Sequence, residues 1–145
     1  MEWRRGEFAI STARDRIDVD AVHRFLCDES YWAAGVPVDV VRRSIQNSLC
    51  FGIYAGERQV GFARVITDYA TFAYIADVYV AIEYRGRDLG KWLMETIREH
   101  PELQGLRRWL LVTRDAHGLY SRAGFRPLEN PGGWMEIRDR DVYKR

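Results

Sequence analysis

The sequence predicts a mixed α/β fold, and three observations support that prediction. Short apolar runs of strand-like composition recur along the chain, segments with apolar residues at helical spacing separate them, and Gly, Pro or Asp punctuates the junctions. The order is two early helices, a central hairpin, and then strand, helix, strand, helix and strand. The 145 residues are enough to bury a proper core, so we expect residues 1–145 to form one domain.

The first third of the chain predicts a strand and two helices. The strand is Phe8–Ser11, and Asp18 is placed to cap the first helix. Pro37 suits the first turn of the second helix. The apolar positions of the two helices are Val19, Val22, Phe25 and Leu26, and Val38, Val41 and Ile45.

The centre of the chain predicts a hairpin followed by a longer strand. Cys50–Tyr54 and Val60–Ile66 are apolar runs, and the intervening Ala55–Arg58 contains a Gly suited to a tight turn. The longer strand covers Phe72–Val80.

A helix and a buried strand follow in the second half. The helix presents an apolar stripe, and Pro101 and Gly105 end it. Trp109–Thr113 is continuously apolar, which predicts a strand buried on both faces. The apolar stripe is Leu89, Trp92, Leu93, Thr96 and Ile97.

The last predicted elements are a short helix and two closing strands. Asp115 could cap the helix, which runs through Tyr120 and Arg122, and Gly124 is well placed to end it. The closing strands are Phe125–Leu128 and Trp134–Ile137.

Composition argues against several classes of protein. The net charge is +1, so no global field favours nucleic acid or an anionic membrane. No apolar run approaches the roughly 18 residues of a membrane span, and the N-terminus lacks the apolar segment of a secretory signal. Cys27 and Cys50 form neither a disulfide framework nor a zinc pattern, so we expect a reducing, cytoplasmic environment.

The segment Val78–Lys91 is the most informative part of the chain. It joins an apolar strand, a short basic turn with glycines, and the start of a helix. A helix N-terminus attracts phosphate through its unpaired N–H groups, and glycine lets the backbone approach a ligand closely. Arg85, Arg87 and Lys91 add three positive charges and Asp88 removes one. The segment therefore predicts a binding site for a phosphorylated cofactor.

The motif and the order of elements together resemble the GNAT N-acetyltransferase superfamily. The family's cofactor signature, Arg/Gln-x-x-Gly-x-Gly/Ala after an apolar triplet, corresponds here to Arg85–Gly90 after Val78–Val80. A second family feature, a Tyr shortly before Gly-Phe, corresponds to Tyr120 and Gly124-Phe125. The resemblance covers roughly Phe8 to Ile137.

The resemblance implies a fold, a cofactor and a reaction. The fold is a mostly antiparallel sheet of about 6–7 strands, splayed into a cofactor slot and flanked by about four helices. The cofactor is acetyl-CoA, and the reaction moves its acetyl group to a primary amine. Backbone groups of Val78, Tyr79 and Val80 would hold the pantetheine arm and the thioester. The residues expected at the pyrophosphate are Arg85, Gly86, Arg87, Asp88, Leu89, Gly90 and Lys91.

Asp88 departs from the family pattern, because it replaces the first signature glycine. It keeps its backbone N–H, but its carboxylate would repel phosphate unless it pointed away. We expect weakened cofactor binding relative to glycine, and a simple helix cap would also account for the residue.

Tyr120 is the candidate general acid, because the resemblance places the family's proton donor there and a phenol can protonate a departing thiolate. Its alternative role is packing between helix and sheet. Asp77 and His117 are candidate bases, although Asp77 could bond a neighbouring strand and His117 could pack against Asp115. A relay through bulk water with no dedicated base is an equal alternative.

The acceptor is expected to be a small-molecule or peptide amine. Aromatic residues outside the helical stripes could line its pocket, although aromatic residues of a domain this size more often belong to the core. The candidates are Tyr31, Trp32, Tyr69, Phe72 and Trp134.

Two rival functions stay open. A non-catalytic CoA-binding regulatory module of the same fold is favoured by Asp88. A nucleic-acid binder would use local basic residues, but interleaved acids cancel their charge. Those residues are Arg85, Arg87, Lys91, Arg107 and Arg108. Scattered histidines predict no metal site, and we expect neither nucleic-acid nor membrane partners. A homodimer formed through the closing strands is a further possibility.

Overall fold

The computed structural model of the protein describes residues 1–144, and its centre is an open six-stranded sheet with the strands in sequence order. Neighbouring strands are antiparallel except for the last pair, which is parallel. The strands are β1 (Glu2–Arg5), β2 (Phe8–Ser11), β3 (Leu49–Ala55), β4 (Arg58–Thr67), β5 (Phe72–Val80) and β6 (Arg108–Leu111).

Helices cover both faces of the sheet. Two lie before β3 in the chain, one connects β5 to β6, and one follows β6. The helices are α1 (Val19–Arg24), which continues as a π-helical turn over Phe25–Glu29, α2 (Val38–Gln46), α3 (Leu89–Glu99) and α4 (His117–Arg122). Among residues 1–144 no helix has both the length and the apolar character needed to cross a membrane.

Two separate hydrophobic cores hold these layers together. The larger core packs the buried face of α3 on the sheet, and Leu93 and Ile97 are fully buried there. The second core packs α1 and α2 on the opposite face around Val22, Val41 and Phe62. Since each helix hides one apolar stripe, both faces of the sheet are covered, and the chain forms three layers.

A bulge in β5 changes which side chains face each core. Phe62 pairs with Tyr79 but Arg64 pairs with Ala76, so β5 carries one extra residue opposite β4. Ala73 and Ile75 belong to the α3 core, whereas beyond the bulge Val78 and Val80 contact it and Tyr79 joins the opposite core. Asp77 lies at the bulge with φ of 56°, the left-handed conformation that such bulges use.

The sheet splays apart between β5 and β6. Their parallel pairing begins at Phe72 with Arg108 and ends at Ile75 with Leu111. β5 continues to Val80, so among residues 1–144 no strand lies beside the edge of Ala76–Val80 that faces away from β4. This opening is the slot that the resemblance implies.

Several predicted elements are confirmed. The strand Phe72–Val80 has the predicted bounds, and the central hairpin closes through Gly56 and Glu57. Asp18 caps α1, since its carboxylate accepts a hydrogen bond from the N–H of Ala21 at 3.0 Å. The fold class, a mostly antiparallel sheet of six strands with four helices among residues 1–144, is also confirmed.

Other predictions were wrong. Phe125–Leu128 and Trp134–Ile137 are not strands, and the sixth strand is instead β1, which the sequence analysis missed. β1 was missed because its residues Glu2, Arg4 and Arg5 are charged; it pairs at an edge, where such side chains stay in water.

The predicted burial and capping in the second half also need correction. β6 is an edge strand whose residues are half-buried or exposed, and Val112 beyond it is 79% exposed. Asp115 does not cap α4; the helix begins after Ala116, whose N–H donates to the hydroxyl of Thr113 at 3.0 Å.

Candidate active site

Two cavities meet where the sheet splays. One, the slot cavity, has a volume of about 640 Å³ and lies between the free edge of β5, the turn before α3, and α4. The other, the α2 cavity, has a volume of about 580 Å³ and lies over the sheet beside α2. The residues that line both are Tyr31, Trp32, Val78, Asp115, Ala116 and Tyr120.

The turn before α3 lines the slot cavity with Arg85, Gly86 and Asp88. Gly86 has φ of 80°, and a Cβ placed there would meet nothing within 4 Å. Asp88 has φ of 60° and precedes the first residue of α3, but its side chain makes no capping hydrogen bond. The left-handed conformation explains why glycine suits this position, and Asp is among the few other residues that tolerate it.

The basic residues of the turn do not all face the slot. Arg85 and Lys91 line it, and the Arg85 Nε donates to the carbonyl of Val80 at 2.9 Å. Arg87 does not line it: its guanidinium lies 5.2 Å from the Tyr84 ring centroid and 3.5 Å from a Glu7 carboxylate oxygen. The expectation that the Arg87 side chain adds charge at the phosphate site is therefore not supported by its position.

Two other arginines belong to the lining of the slot cavity. They are Arg114, after β6, and Arg122, on α4. Neither arginine was predicted, because neither belongs to the turn motif. The signal available was their position near Tyr120, on the loop and helix expected to face the slot.

The α2 cavity is lined by apolar and aromatic side chains, by polar and charged side chains, and by one largely buried ion pair. Its lining includes Leu26, Val36, Val40, Val41, Tyr74, Leu111 and Tyr143. The ion pair joins Arg64 Nε to Asp77 Oδ2 at 2.8 Å, and the two side chains are 16% and 10% exposed. Arg64 was missed, although a charge inside the apolar run Val60–Ile66 indicates a buried partner.

Asp77, a predicted base, lies in the α2 cavity with both carboxylate oxygens engaged. Oδ2 accepts from Arg64, and Oδ1 accepts from the indole Nε1 of Trp32 at 2.9 Å. These bonds give the carboxylate a structural role between the strand bulge and the loop that follows α1.

Tyr120, the predicted acid, lies on α4 at the junction of the cavities. The N–H groups of Gly124 and Phe125 donate to the carbonyls of Ser121 and Tyr120, so Gly124 ends the helix as predicted. The rings of Tyr120 and Phe125 pack edge to face at 6.1 Å. Burial, and then the neighbouring Tyr31 and Asp115, raise the pKa of the Tyr120 hydroxyl to about 12.

The remaining predicted residues lie elsewhere. His117 is exposed on the first turn of α4 and lines neither cavity. Tyr69 and Phe72 lie at the junction of β4 and β5, and Trp134 contacts Arg108 at 4.9 Å; none of the three lines either cavity. Tyr31 and Trp32 line both cavities, as the pocket hypothesis requires.

The arrangement can bring two ligands together. An extended ligand in the slot would meet the edge of Val78–Val80 that faces away from β4. A second ligand in the α2 cavity would reach the same point beside Tyr120. In the part of the chain that the structure describes, no group of three or more His, Cys, Asp or Glu residues is placed to hold a metal ion.

Comparison with known proteins identifies relatives. Residues 46–127 match the family model described as the acetyltransferase (GNAT) domain. The acetyltransferase candidate FG08082 of Gibberella zeae is 33% identical over 144 residues, which cover 84% of this chain and 80% of that protein.

Solved structures agree with the family model. A GNAT-family acetyltransferase candidate from Xanthomonas campestris is 48% identical, covers 95% of this chain and 97% of its own, and superposes with a TM-score of 0.93. An acetyltransferase candidate from Clostridium acetobutylicum, solved with acetyl-CoA, is 16% identical, covers 90% and 94%, and has a TM-score of 0.66. At that identity the second likeness shows a shared fold.

Proposed function

Because the chain belongs to the GNAT acetyltransferase family, we propose that it transfers the acetyl group of acetyl-CoA directly to a primary amine. The observation that carries the proposal is the meeting of the two cavities at Val78 and Tyr120, which line both. Holding a donor and an acceptor at one junction supplies the effective concentration on which direct acyl transfer depends.

The slot cavity fits acetyl-CoA in shape and chemistry. The free backbone edge of Ala76–Val80 offers N–H and C=O groups to an extended amide-bearing arm. The N–H groups at the start of α3, with Arg85 and Lys91, suit a pyrophosphate. The solved C. acetobutylicum protein of the same fold contains acetyl-CoA, which supports this assignment.

Tyr120 acts on the leaving sulfur in the proposed reaction by donating a hydrogen bond to it. The amine nitrogen attacks the thioester carbon and the carbon–sulfur bond breaks. The nitrogen gives up its proton to water, and the sulfur leaves as a thiolate that water then protonates. With a pKa of about 12 the Tyr120 phenol stays protonated at neutral pH. A thiol has a pKa of about 8.5, so the phenol is the weaker acid and donates a hydrogen bond to the developing thiolate rather than losing its proton outright. A backbone N–H at Val78–Val80 would stabilise the thioester oxygen as it becomes negative.

The proton of the amine leaves through water in this proposal. His117 lines neither cavity, and the oxygens of Asp77 are already hydrogen-bonded. The exposed Asp115 and Glu136 at the edge of the α2 cavity attract an ammonium ion and leave it in contact with solvent, where it can deprotonate.

The experiment measures CoA thiol release with a panel of primary amines. Wild-type protein should release thiol only when an amine is added. Tyr120→Phe should lower kcat about tenfold or more and leave the Kd for acetyl-CoA unchanged, because the hydroxyl acts on the departing sulfur. Tyr69→Phe is the matched control, since Tyr69 lines neither cavity. Unchanged turnover in Tyr120→Phe would refute the donor role.

The same assay distinguishes the proposed enzyme from the alternative function, a non-catalytic CoA-binding module, which Asp88 favours. Acetyl-CoA binding without release of thiol by any amine would favour the module.

We include a cytoplasmic location in the proposal, because Cys27 and Cys50 are both free thiols.

A further inference from the structure

We propose that the α2 cavity selects primary amines that carry one aromatic or aliphatic body, with Trp32 as the specificity-determining wall and Asp77 as the residue that positions it. The inference rests on the proposed function, since it names the substrate class of the same site.

The size of the α2 cavity and its exposed apolar side chains suit an acceptor with an apolar body. Its volume of about 580 Å³ lies within the range of small-molecule pockets, roughly 300–1,000 Å³. Val40 of α2 and Val112 after β6 line the cavity and are 41% and 79% exposed, so both have apolar surface left for a ligand to cover. Contact with such side chains favours a hydrocarbon or ring over a polyhydroxyl body.

The charges of the cavity argue against polyvalent acceptors. Inside it, Arg64 and Asp77 neutralise each other at 2.8 Å. Asp115, Glu136 and Arg138 are exposed residues of the lining, where water screens them. Asp115 and Glu136 can receive one ammonium group at the solvent-exposed edge, but deeper in the cavity Asp77 is already paired with Arg64. A second ammonium group or a phosphate group that reached that depth would be buried without a partner.

Trp32 separates the two cavities and is held from several sides. Its ring lies 6.0 Å from Phe25 and 5.0 Å from Tyr31, and Phe25 stacks on Tyr79 at 4.1 Å. The Tyr31 hydroxyl accepts from the Arg114 N–H at 3.1 Å. The loop after α1 is thus fastened to both sides of the splayed sheet, and it presents the indole to the acceptor.

Asp77 fixes the edge of that indole. One carboxylate oxygen accepts from Trp32 Nε1 at 2.9 Å and the other from Arg64, whose Nη1 also donates to the Ser48 hydroxyl at 3.2 Å. The left-handed backbone of Asp77 at the bulge turns this carboxylate toward the loop, and Asn is among the residues that tolerate such a conformation. Asp77 is therefore a positioning residue, and Asp77→Asn tests it without forcing the backbone.

The first test is a comparison of acceptors with the wild-type protein. 2-Phenylethylamine, tryptamine and hexylamine should give kcat/KM values about tenfold or more above those of spermidine and glucosamine 6-phosphate, as expected when an apolar pocket discriminates. Preference for spermidine or the sugar phosphate would overturn this inference and leave the proposed function intact. Failure of every amine in the panel to release thiol would overturn both.

The second test uses a matched pair of tryptophans. Trp32 and Trp134 are 39% and 38% exposed, but Trp134 lines neither cavity. Trp32→Phe should raise the KM for 2-phenylethylamine about fivefold to tenfold and leave kcat within about twofold. The reason is that the substitution removes contacts made equally to the bound amine and to the transition state. Trp134→Phe should leave both unchanged. Equal effects of the two variants would overturn the assignment of Trp32.

The third test separates positioning from proton transfer at Asp77. Asp77→Asn should raise the KM for the amine and leave the shape of the pH profile of kcat unchanged, with the KM for acetyl-CoA unaffected. Loss of the acidic limb of the kcat profile in Asp77→Asn, together with a wild-type KM for the amine, would make Asp77 the base and overturn its positioning role.

Discussion

Removing the charge of Asp88 should strengthen acetyl-CoA binding. Asp88 lines the slot cavity at the start of α3, and its carboxylate makes no capping hydrogen bond that would hold it away from a phosphate. At about 6 Å in water, two unit charges repel by roughly 0.7 kcal/mol. A pyrophosphate with two charges would thus lose roughly 1.4 kcal/mol, which corresponds to about tenfold in Kd.

Three variants separate this charge from the backbone. Asp88→Asn removes the charge and retains a residue that tolerates positive φ, and Asp88→Gly removes the charge and favours the φ of 60°. Both should bind acetyl-CoA about tenfold more tightly at low ionic strength, and the gain should shrink at high salt. Asp88→Ala also removes the charge but should lower the free energy of unfolding by about 1 kcal/mol, because alanine lacks the short polar side chain that lets Asp and Asn tolerate the left-handed region.

Isothermal titration calorimetry at two salt concentrations measures the affinities, and thermal unfolding measures the stabilities. Unchanged or weaker binding by both Asp88→Asn and Asp88→Gly at low salt would refute the electrostatic reasoning. A gain in Asp88→Gly alone would instead assign the effect to the backbone.

The remaining predictions concern stability. Gly52→Ala should destabilise the fold by about 1–3 kcal/mol, because the new Cβ would collide with the phenol of the buried Tyr54. Gly118→Ala on α4 should stabilise the fold by about 0.5–1 kcal/mol, because a Cβ there meets nothing within 4 Å. Chemical denaturation of both variants measures the two changes in unfolding free energy. Burial lowers the pKa of His100 from its usual 6.5, so its stabilising contribution is complete above about pH 6.5 and is lost as the pH falls through the lower folded value. The melting temperature of His100→Gln should therefore depend less on pH between 7 and 5 than that of the exposed control His117→Gln, and identical slopes would contradict this.

Much of the fold could be predicted from local patterns, because most helices and strands carry a characteristic residue pattern that does not depend on their neighbours in the structure. The stripe Leu89–Ile97 repeats at helical spacing and becomes the buried face of α3. The strand Phe72–Val80 was found with its correct bounds for the same reason, since its apolar residues and flanking turn residues mark it without reference to neighbours.

The parts that could not be predicted depend on tertiary context. The bulge at Asp77 moves the following side chains of β5 to the other face of the sheet. Sequence periodicity cannot reveal it, because a bulge is defined by the pairing of β5 with β4. Trp134–Ile137 has the composition of a strand but finds no partner in the sheet, and Met135 and Ile137 stay exposed. Propensity alone does not supply a neighbour.

The candidate site also has parts that could be predicted from the sequence and parts that depend on tertiary context. Arg85, Asp88 and Lys91, where the turn motif predicts a phosphate site, line the slot cavity. Sequence could not show that Arg87 faces Glu7 and Tyr84, since the direction of a side chain in a short turn depends on backbone torsions. Nor could it show that Trp32 contacts Asp77, 45 residues away along the chain.

The central claim is that the main chain of Val78–Lys91, together with its flanking cations, receives acetyl-CoA. Calorimetric titration of the purified protein with acetyl-CoA and with S-acetylpantetheine, which lacks the diphosphate, tests it most directly. We expect one acetyl-CoA per chain at micromolar Kd, and binding of S-acetylpantetheine at least about a hundredfold weaker, since the charge-assisted contacts at the start of α3 are lost. The absence of measurable binding of acetyl-CoA at millimolar concentration, or equal affinity for the two compounds, would contradict the claim.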